Sequence, residues 1–158
     1  ILPELIERSG RTSKGSITAI FTVLMDGEKV EDDPVASEAK SLLDGHIILS
    51  TKLVERSHFP AIDPMRSLSR VMSHVAHKRA FELSGLMRRA YGLYADVELL
   101  LRINEYKMGN DPLIDEAVRI KTKLDSWCQQ GRFDFTPPDE AIASLEGLLA
   151  NFENLCSR

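Results

Sequence analysis

The chain has 158 residues, with 20 Lys and Arg interspersed among 24 Asp and Glu for a formal charge of −4. That balance leaves no basic stripe for a phosphate backbone, which excludes nucleic acid as a partner. No apolar run approaches the roughly 20 residues of a bilayer crossing, so membrane contact has to come through a partner.

The opening Ile1-Leu2-Pro3-Glu4-Leu5-Ile6-Glu7-Arg8 has no charged-then-apolar signal pattern and reads as a cut rather than a natural beginning. Ser16 to Leu24 is rich in β-branched residues, is bounded by Gly15 and Gly27, and reads as a buried strand. An acidic loop from Glu28 to Asp33 follows, and Asp33-Pro34 reads as an N-cap with proline at the first helical position. Val35, Ala39, Leu42 and Leu43 are expected on the buried face of that helix, with Gly45 closing it. Ile47 to Ser50 reads as a second strand, Lys52 to Arg56 as a brief helix, and Pro60 and Pro64 punctuate an extended loop. The alternation suggests the edge of an α/β sheet.

Beyond residue 65 the period lengthens to that of amphipathic helices. Leu86, Met87, Leu93, Val97, Leu100 and Leu101 mark one helix or a broken pair. Asn110-Asp111-Pro112 starts another, with Ile114, Val118, Leu124 and Trp127 on its apolar face and its end near Gly131. Thr136-Pro137-Pro138-Asp139 starts the last, with threonine expected as the cap and Ile142, Leu145, Leu149 and Phe152 as its stripe. Three such helices predict a small bundle.

Three strings, Gly15-Ser16-Ile17-Thr18-Ala19, Leu43-Asp44-Gly45-His46-Ile47, and Phe59-Pro60-Ala61-Ile62-Asp63 with Ser69-Arg70-Val71-Met72, stand in an order that resembles the end of the RecA-like core of the rotary ATPase superfamily. Glu98-Leu99-Leu100-Leu101-Arg102, Glu105-Tyr106, Gly109, Asp111-Pro112 and Asp115-Glu116-Ala117 narrow the resemblance to the export ATPases of flagella and type III secretion injectisomes. Asn104 departs from it, since these enzymes usually carry glycine there, and the tail after Trp127 matches less closely. The implied fold class is α/β, the C-terminal edge of a RecA-like parallel sheet over 1–77 followed by an all-α helical bundle over 78–158.

The resemblance implies a homohexameric ATP hydrolase that releases chaperones and unfolds cargo for export. ATP and Mg would be bound mainly by an upstream region, because nothing here fits GxxxxGK[ST]; in Thr12-Ser13-Lys14-Gly15-Ser16 the lysine precedes the glycine and no strand feeds a helix. The fragment alone is expected to be inactive. Arg70 is the implied catalytic residue, an arginine finger reaching a neighbouring subunit's γ-phosphate. Phe59 is the implied cofactor-binding residue, stacking on adenine, while Phe133 is set aside as a second wall and Arg66 as a surface charge. No metal ligand set is expected: His74 and His77 lack clustered partners, and His46 reads as a structural hydrogen-bonder. Cys128 and Cys156 belong to no CxxC pair and read as reduced thiols. Implied partners are the chain itself in a ring, a coiled-coil stalk protein facing the acidic loop, export chaperones and cargo near Leu99 to Tyr106, and a stator or regulator protein. The implied location is cytoplasmic, peripheral to the bacterial inner membrane. Two rival readings are a truncated, non-catalytic chaperone- or stalk-binding module and a rotary ATP synthase-type subunit.

Overall fold

The computed structural model describes residues 2–25 and 33–157. Two-stranded pairings and short helices occupy the first half, and three long helices the second. Helix α1 (Leu2–Glu7) leads into a hairpin of β1 (Gly10–Thr12) and β2 (Gly15–Ile17), antiparallel with Arg11 opposite Ser16. The strand expected over Ser16 to Leu24 therefore ends at Ile17. A strand is held by neighbours on its backbone edge, and among the described residues only β1 pairs with it. Ile20 and Leu24 are consequently 93% and 95% exposed.

Helix α2 (Pro34–Leu42) starts as its sequence dictates, with Asp33 Oδ1 accepting the amides of Val35 at 2.9 Å and Ala36 at 3.0 Å. Its buried residues are Ala36 and Ala39, whereas Val35 and Leu42 are exposed, so the expected apolar face is corrected. Ala36 and Ile48 form a small core of their own, with Met25 packed against it. Nor does Gly45 close the helix: α2 ends at Leu42, and Gly45 opens β3 (Gly45–His46). This strand pairs antiparallel with β4 (Leu68–Ser69), with Gly45 opposite Ser69, and the pairing extends through a bridge between Leu49 and Ile62. The second strand expected over Ile47 to Ser50 lies instead at Gly45–His46, and only the isolated bridge at Leu49 falls in the expected span. Helix α3 (Thr51–Glu55) and the loop through Pro60 connect the two sides.

After the short α4 (Met72–Val75), α5 (Lys78–Arg102), α6 (Pro112–Trp127) and α7 (Pro138–Cys156) pack together. Each contributes a stripe at helical spacing: Leu83, Met87 and Ala90; Ala117, Ile120 and Leu124; Leu145, Leu149 and Phe152. Leu83, Leu149 and Phe152 are wholly buried, each worth about 1.5–3 kcal/mol in apolar burial. Helix α5 runs unbroken. It stops where Asn104 takes a φ of 58° just past its C-cap, a left-handed conformation that glycine adopts freely and asparagine tolerates. That requirement explains why Asn104 can stand where the resembling enzymes usually have glycine.

Asp111 caps α6 as expected, accepting the amides of Leu113 and Ile114. Thr136 does not cap α7. Pro137 occupies that position without a side-chain bond, and Asp139 and Glu140 in the first turn face the positive end of the helix dipole instead.

A guanidinium clamps the outside of the bundle. Arg79 on α5 donates to Glu146 Oε1 at 2.7 Å and, through both terminal nitrogens, to Glu153 at 2.7 Å. These bonds hold the Glu153 carboxyl below its ordinary range. A lowered folded-state value contributes stability above the unfolded-state value, near pH 4.3, that is lost as pH falls through the folded one. The urea midpoint of the wild-type chain is expected to fall more steeply on acidification below about pH 4.3 than that of Glu153→Gln. Parallel pH profiles for the two proteins would show the clamp to be inert.

Candidate functional site

The last carbonyls of a helix have no partner within it, and a cation placed there also meets the negative end of its dipole. At the end of α2 that cation is Arg70. Its Nη1 donates to Ser41 O at 2.9 Å and its Nη2 to Lys40 O at 3.2 Å, while its backbone amide donates to Asp44 O at 2.7 Å. The side chain is exposed, and among the described residues its partners are carbonyls rather than a carboxylate. Among the described residues its positive charge is thus met by helix-end carbonyls and by no ion pair.

The loop that delivers Arg70 is folded on Asp63. Its Oδ1 accepts the amides of Met65 at 2.9 Å and Arg66 at 3.1 Å, and its carbonyl accepts the Ser67 hydroxyl at 2.7 Å. The same hydroxyl accepts the Ile48 amide at 3.0 Å. His46 makes the expected structural bond, its Nε2 lying 3.0 Å from Arg66 O. A carbonyl can only accept, so that nitrogen carries the proton.

Phe59 lies at a different place. Ser57, at a φ of 54°, turns the chain after α3, and the buried His58 places its Nδ1 3.3 Å from Gln129 Nε2. Phe59 O then accepts the Gln130 amide at 2.9 Å. The Phe59 ring, 52% exposed, lines an open depression of about 230 Å³ with Ser57, Gln129, Gln130 and Gly131. Asp134 holds the far wall, accepting the Gly131 amide through its carboxylate and the Gln130 side-chain amide through its carbonyl. An aromatic face beside amide groups suits a flat heteroaromatic ring. Sequence reasoning missed Gln129, Gln130 and Gly131, whose only local signal is the glycine after α6. Phe133 is 91% exposed and lies outside the depression's lining, its ring 5.6 Å from the Arg132 guanidinium.

Among the described residues no three His, Cys, Asp or Glu side chains converge as a metal site would require. His74 Nδ1 pairs with the Ser73 hydroxyl at 3.1 Å. Cys128 and Cys156 are free thiols, and burial raises the Cys128 thiol above its ordinary value. Of the acidic loop, residues 28–32 lie outside the described residues, and Asp33 is the α2 cap.

Comparison with known proteins finds two family models in tandem. The ATP synthase alpha/beta family nucleotide-binding domain matches residues 1–69, and the T3SS EscN ATPase C-terminal domain matches residues 76–147. A type 3 secretion system ATPase of Pseudomonas savastanoi pv. phaseolicola is 43% identical over 149 residues, which are 94% of this chain and 32% of that protein. The flagellum-specific ATP synthase of Treponema pallidum is 38% identical over 93% of this chain and 33% of its own length. Among solved structures, the assembled ATPase EscN of the enteropathogenic E. coli type III secretion system superposes with a TM-score of 0.87 at 42% identity. That match covers 94% of this chain and 36% of EscN. EscN in complex with its central stalk EscO gives 0.81 at 40% identity, over 94% and 35% of the two chains. The chain thus spans about a third of the length of these relatives.

A methyl added at Gly45 would sit 2.8 Å from Leu68 O and 3.3 Å from Ser69 Cα. Gly45→Ala is expected to force β3 and β4 apart at a cost of about 1–3 kcal/mol. Hydrogen exchange should then speed up at the Arg70 amide and stay unchanged in α6; unaltered protection at Arg70 would show that the pairing is not what fixes this residue.

Proposed function

The chain belongs to the type III secretion and flagellar export ATPase family, and from that premise we propose that it is the segment of a homohexameric ATPase that supplies an arginine finger and a base contact for ATP. Residues 1–77 are the C-terminal part of the nucleotide-binding core and 78–158 the helical domain. ATP and magnesium are held mainly by a phosphate loop and acidic strand end outside this segment. Hydrolysis in the intact enzyme drives chaperone release and cargo unfolding, and this segment alone hydrolyses nothing.

The observation that carries this reading is the state of Arg70. It is exposed, it sits just past a strand, and among the described residues its side-chain bonds are to backbone carbonyls rather than to a carboxylate. A guanidinium in that state keeps its charge and its forked donors for an incoming phosphate. In a head-to-tail ring it reaches the triphosphate held by the next subunit, where it offsets charge developing on the γ-phosphate. Phe59 serves the other requirement, with its exposed ring stacking on adenine in the depression closed by Gln129 to Gly131.

The similarity to EscN, solved as an assembled ATPase and with its stalk EscO, supports a ring around a coiled-coil stalk protein as the setting. Chaperones, cargo and a stator or regulator protein complete the partners. Leu99 and Ile103, 67% and 54% exposed where α5 ends, mark the candidate region for chaperone and cargo docking. No helix among the described residues is long and apolar enough to cross a membrane. A cytoplasmic enzyme bound peripherally at the inner membrane through the export apparatus fits this reading.

In the full-length enzyme, Arg70→Ala is expected to lower turnover by roughly 10³-fold or more while equilibrium nucleotide binding persists. Phosphate release near the wild-type rate would refute the finger. Phe59→Ala is expected to raise KM for ATP roughly 5-fold, with a smaller change in kcat. An unchanged KM would assign Phe59 to packing alone.

A further inference from the structure

Arg88 lies in the third turn of the bundle's long helix α5, yet its guanidinium leaves the bundle. Its Nη1 donates to Met65 O at 3.3 Å and its Nη2 to Ser67 O. Both acceptors belong to the loop folded on Asp63, and Ser67 immediately precedes β4, which leads into Arg70. The carbonyl between them, Arg66 O, is held by His46 from the opposite strand. Three successive carbonyls are therefore fixed by two side chains, Arg66 O by His46 of the sheet portion and Met65 O and Ser67 O by Arg88 of the helical bundle. The outer pair share one planar guanidinium, a geometry that a rigid fork satisfies and a point donor does not.

We propose that Arg88 is a positioning residue for Arg70, the side chain by which the helical bundle sets where that guanidinium stands relative to a neighbour's triphosphate. The inference rests on the arginine-finger reading of Arg70. Ser67 fixes the start of β4, β4 fixes the Arg70 backbone through its pairing with β3, and the Arg70 amide completes the ladder on Asp44. Releasing the Met65 and Ser67 carbonyls frees the entry to that ladder without touching the Phe59 depression, which is closed by Gln129 and Gln130 instead. The signature of Arg88 is thus a loss in the chemical step with nucleotide binding preserved. A shift of about 1 Å in a reacting group is enough to cost on the order of 10²-fold in rate.

The test uses the full-length hexamer carrying Arg88→Ala, Arg88→Lys or Arg70→Ala, assayed for kcat, for KM for ATP, for Mg-ADP binding, and for trapping of ADP by aluminium fluoride. The expected result for Arg88→Ala is a kcat lowered roughly 10- to 100-fold, KM and Mg-ADP affinity within about 2-fold of wild type, and weakened fluoride trapping; Arg88→Lys recovers only part of the rate. An Arg88→Ala enzyme with wild-type kcat beside an inactive Arg70→Ala enzyme overturns this inference and leaves the finger intact. A KM that rises in step with the fall in kcat overturns it too, in favour of general packing. If Arg70→Ala itself turns over normally, the finger fails and this inference falls with it. Should Arg88→Ala not assemble, Arg88→Lys decides: reduced kcat at unchanged KM supports the role, and wild-type kcat overturns it.

Discussion

A missing side chain at position 45 is the constraint on which the first half of the molecule depends. A Cβ there would stand 2.8 Å from Leu68 O, so only glycine lets β3 and β4 approach closely enough to pair. That pairing returns residue 70 to residue 44, and the return places the Arg70 guanidinium on the open carbonyls of α2. The end of α2, the β3–β4 ladder and the direction of Arg70 are one arrangement with one steric origin. Among the described residues none of its parts has an apolar core beneath it comparable to that of the bundle.

The two halves are held by different physics. Helices α5, α6 and α7 share a core in which stripes of three buried residues interlock, whereas the sheet portion has Ala36, Ile48 and Met25. The halves then meet through directional bonds to backbone: Arg88 to the carbonyls of Met65 and Ser67, and the Gln130 amide to Phe59 O beside the His58–Gln129 pair. Phe59 is thereby held directly by a hydrogen bond from the segment after α6, and Arg70 indirectly through the Met65 and Ser67 carbonyls of the loop that leads into it; a hydrogen bond fixes an atom's position more sharply than apolar packing does. Movement of the bundle has a short mechanical route to both.

What was legible in the sequence was what is decided locally. Asp33 and Asp111 cap their helices because the aspartate, the proline after it and the amides it accepts lie within four residues. Leu145, Leu149 and Phe152 declare their face by spacing alone. Misreadings arose where a distant partner decides. Gly45 looked like a helix stop because the arginine that caps α2 lies 29 residues from Ser41. Ala39 is buried as expected, but Val35 and Leu42 were expected inside with it, and the small Ala36 is buried in their place. Ser16 to Leu24 has strand composition, but the neighbours that would extend its pairing are not among the described residues. Phe59 was singled out through a motif, while Gln129, 71 residues from His58, gave no sign that it would pack beside it.

The nature of Arg70's partners bears directly on the role proposed for it. The end of a helix presents roughly half an elementary negative charge, spread over carbonyls that water can also satisfy. A carboxylate would present a full charge and, if stripped of its arginine, would be left as a lone anion beside an incoming triphosphate. Two carbonyls at 2.9 and 3.2 Å orient the guanidinium without neutralising it, and they can be exchanged for phosphate oxygens without stranding a charge. A finger resting on a helix C-terminus is accordingly both ordered and available. An arginine held by a carboxylate in the manner of Arg79, whose two carboxylate partners on α7 raise its own proton affinity, is ordered but committed.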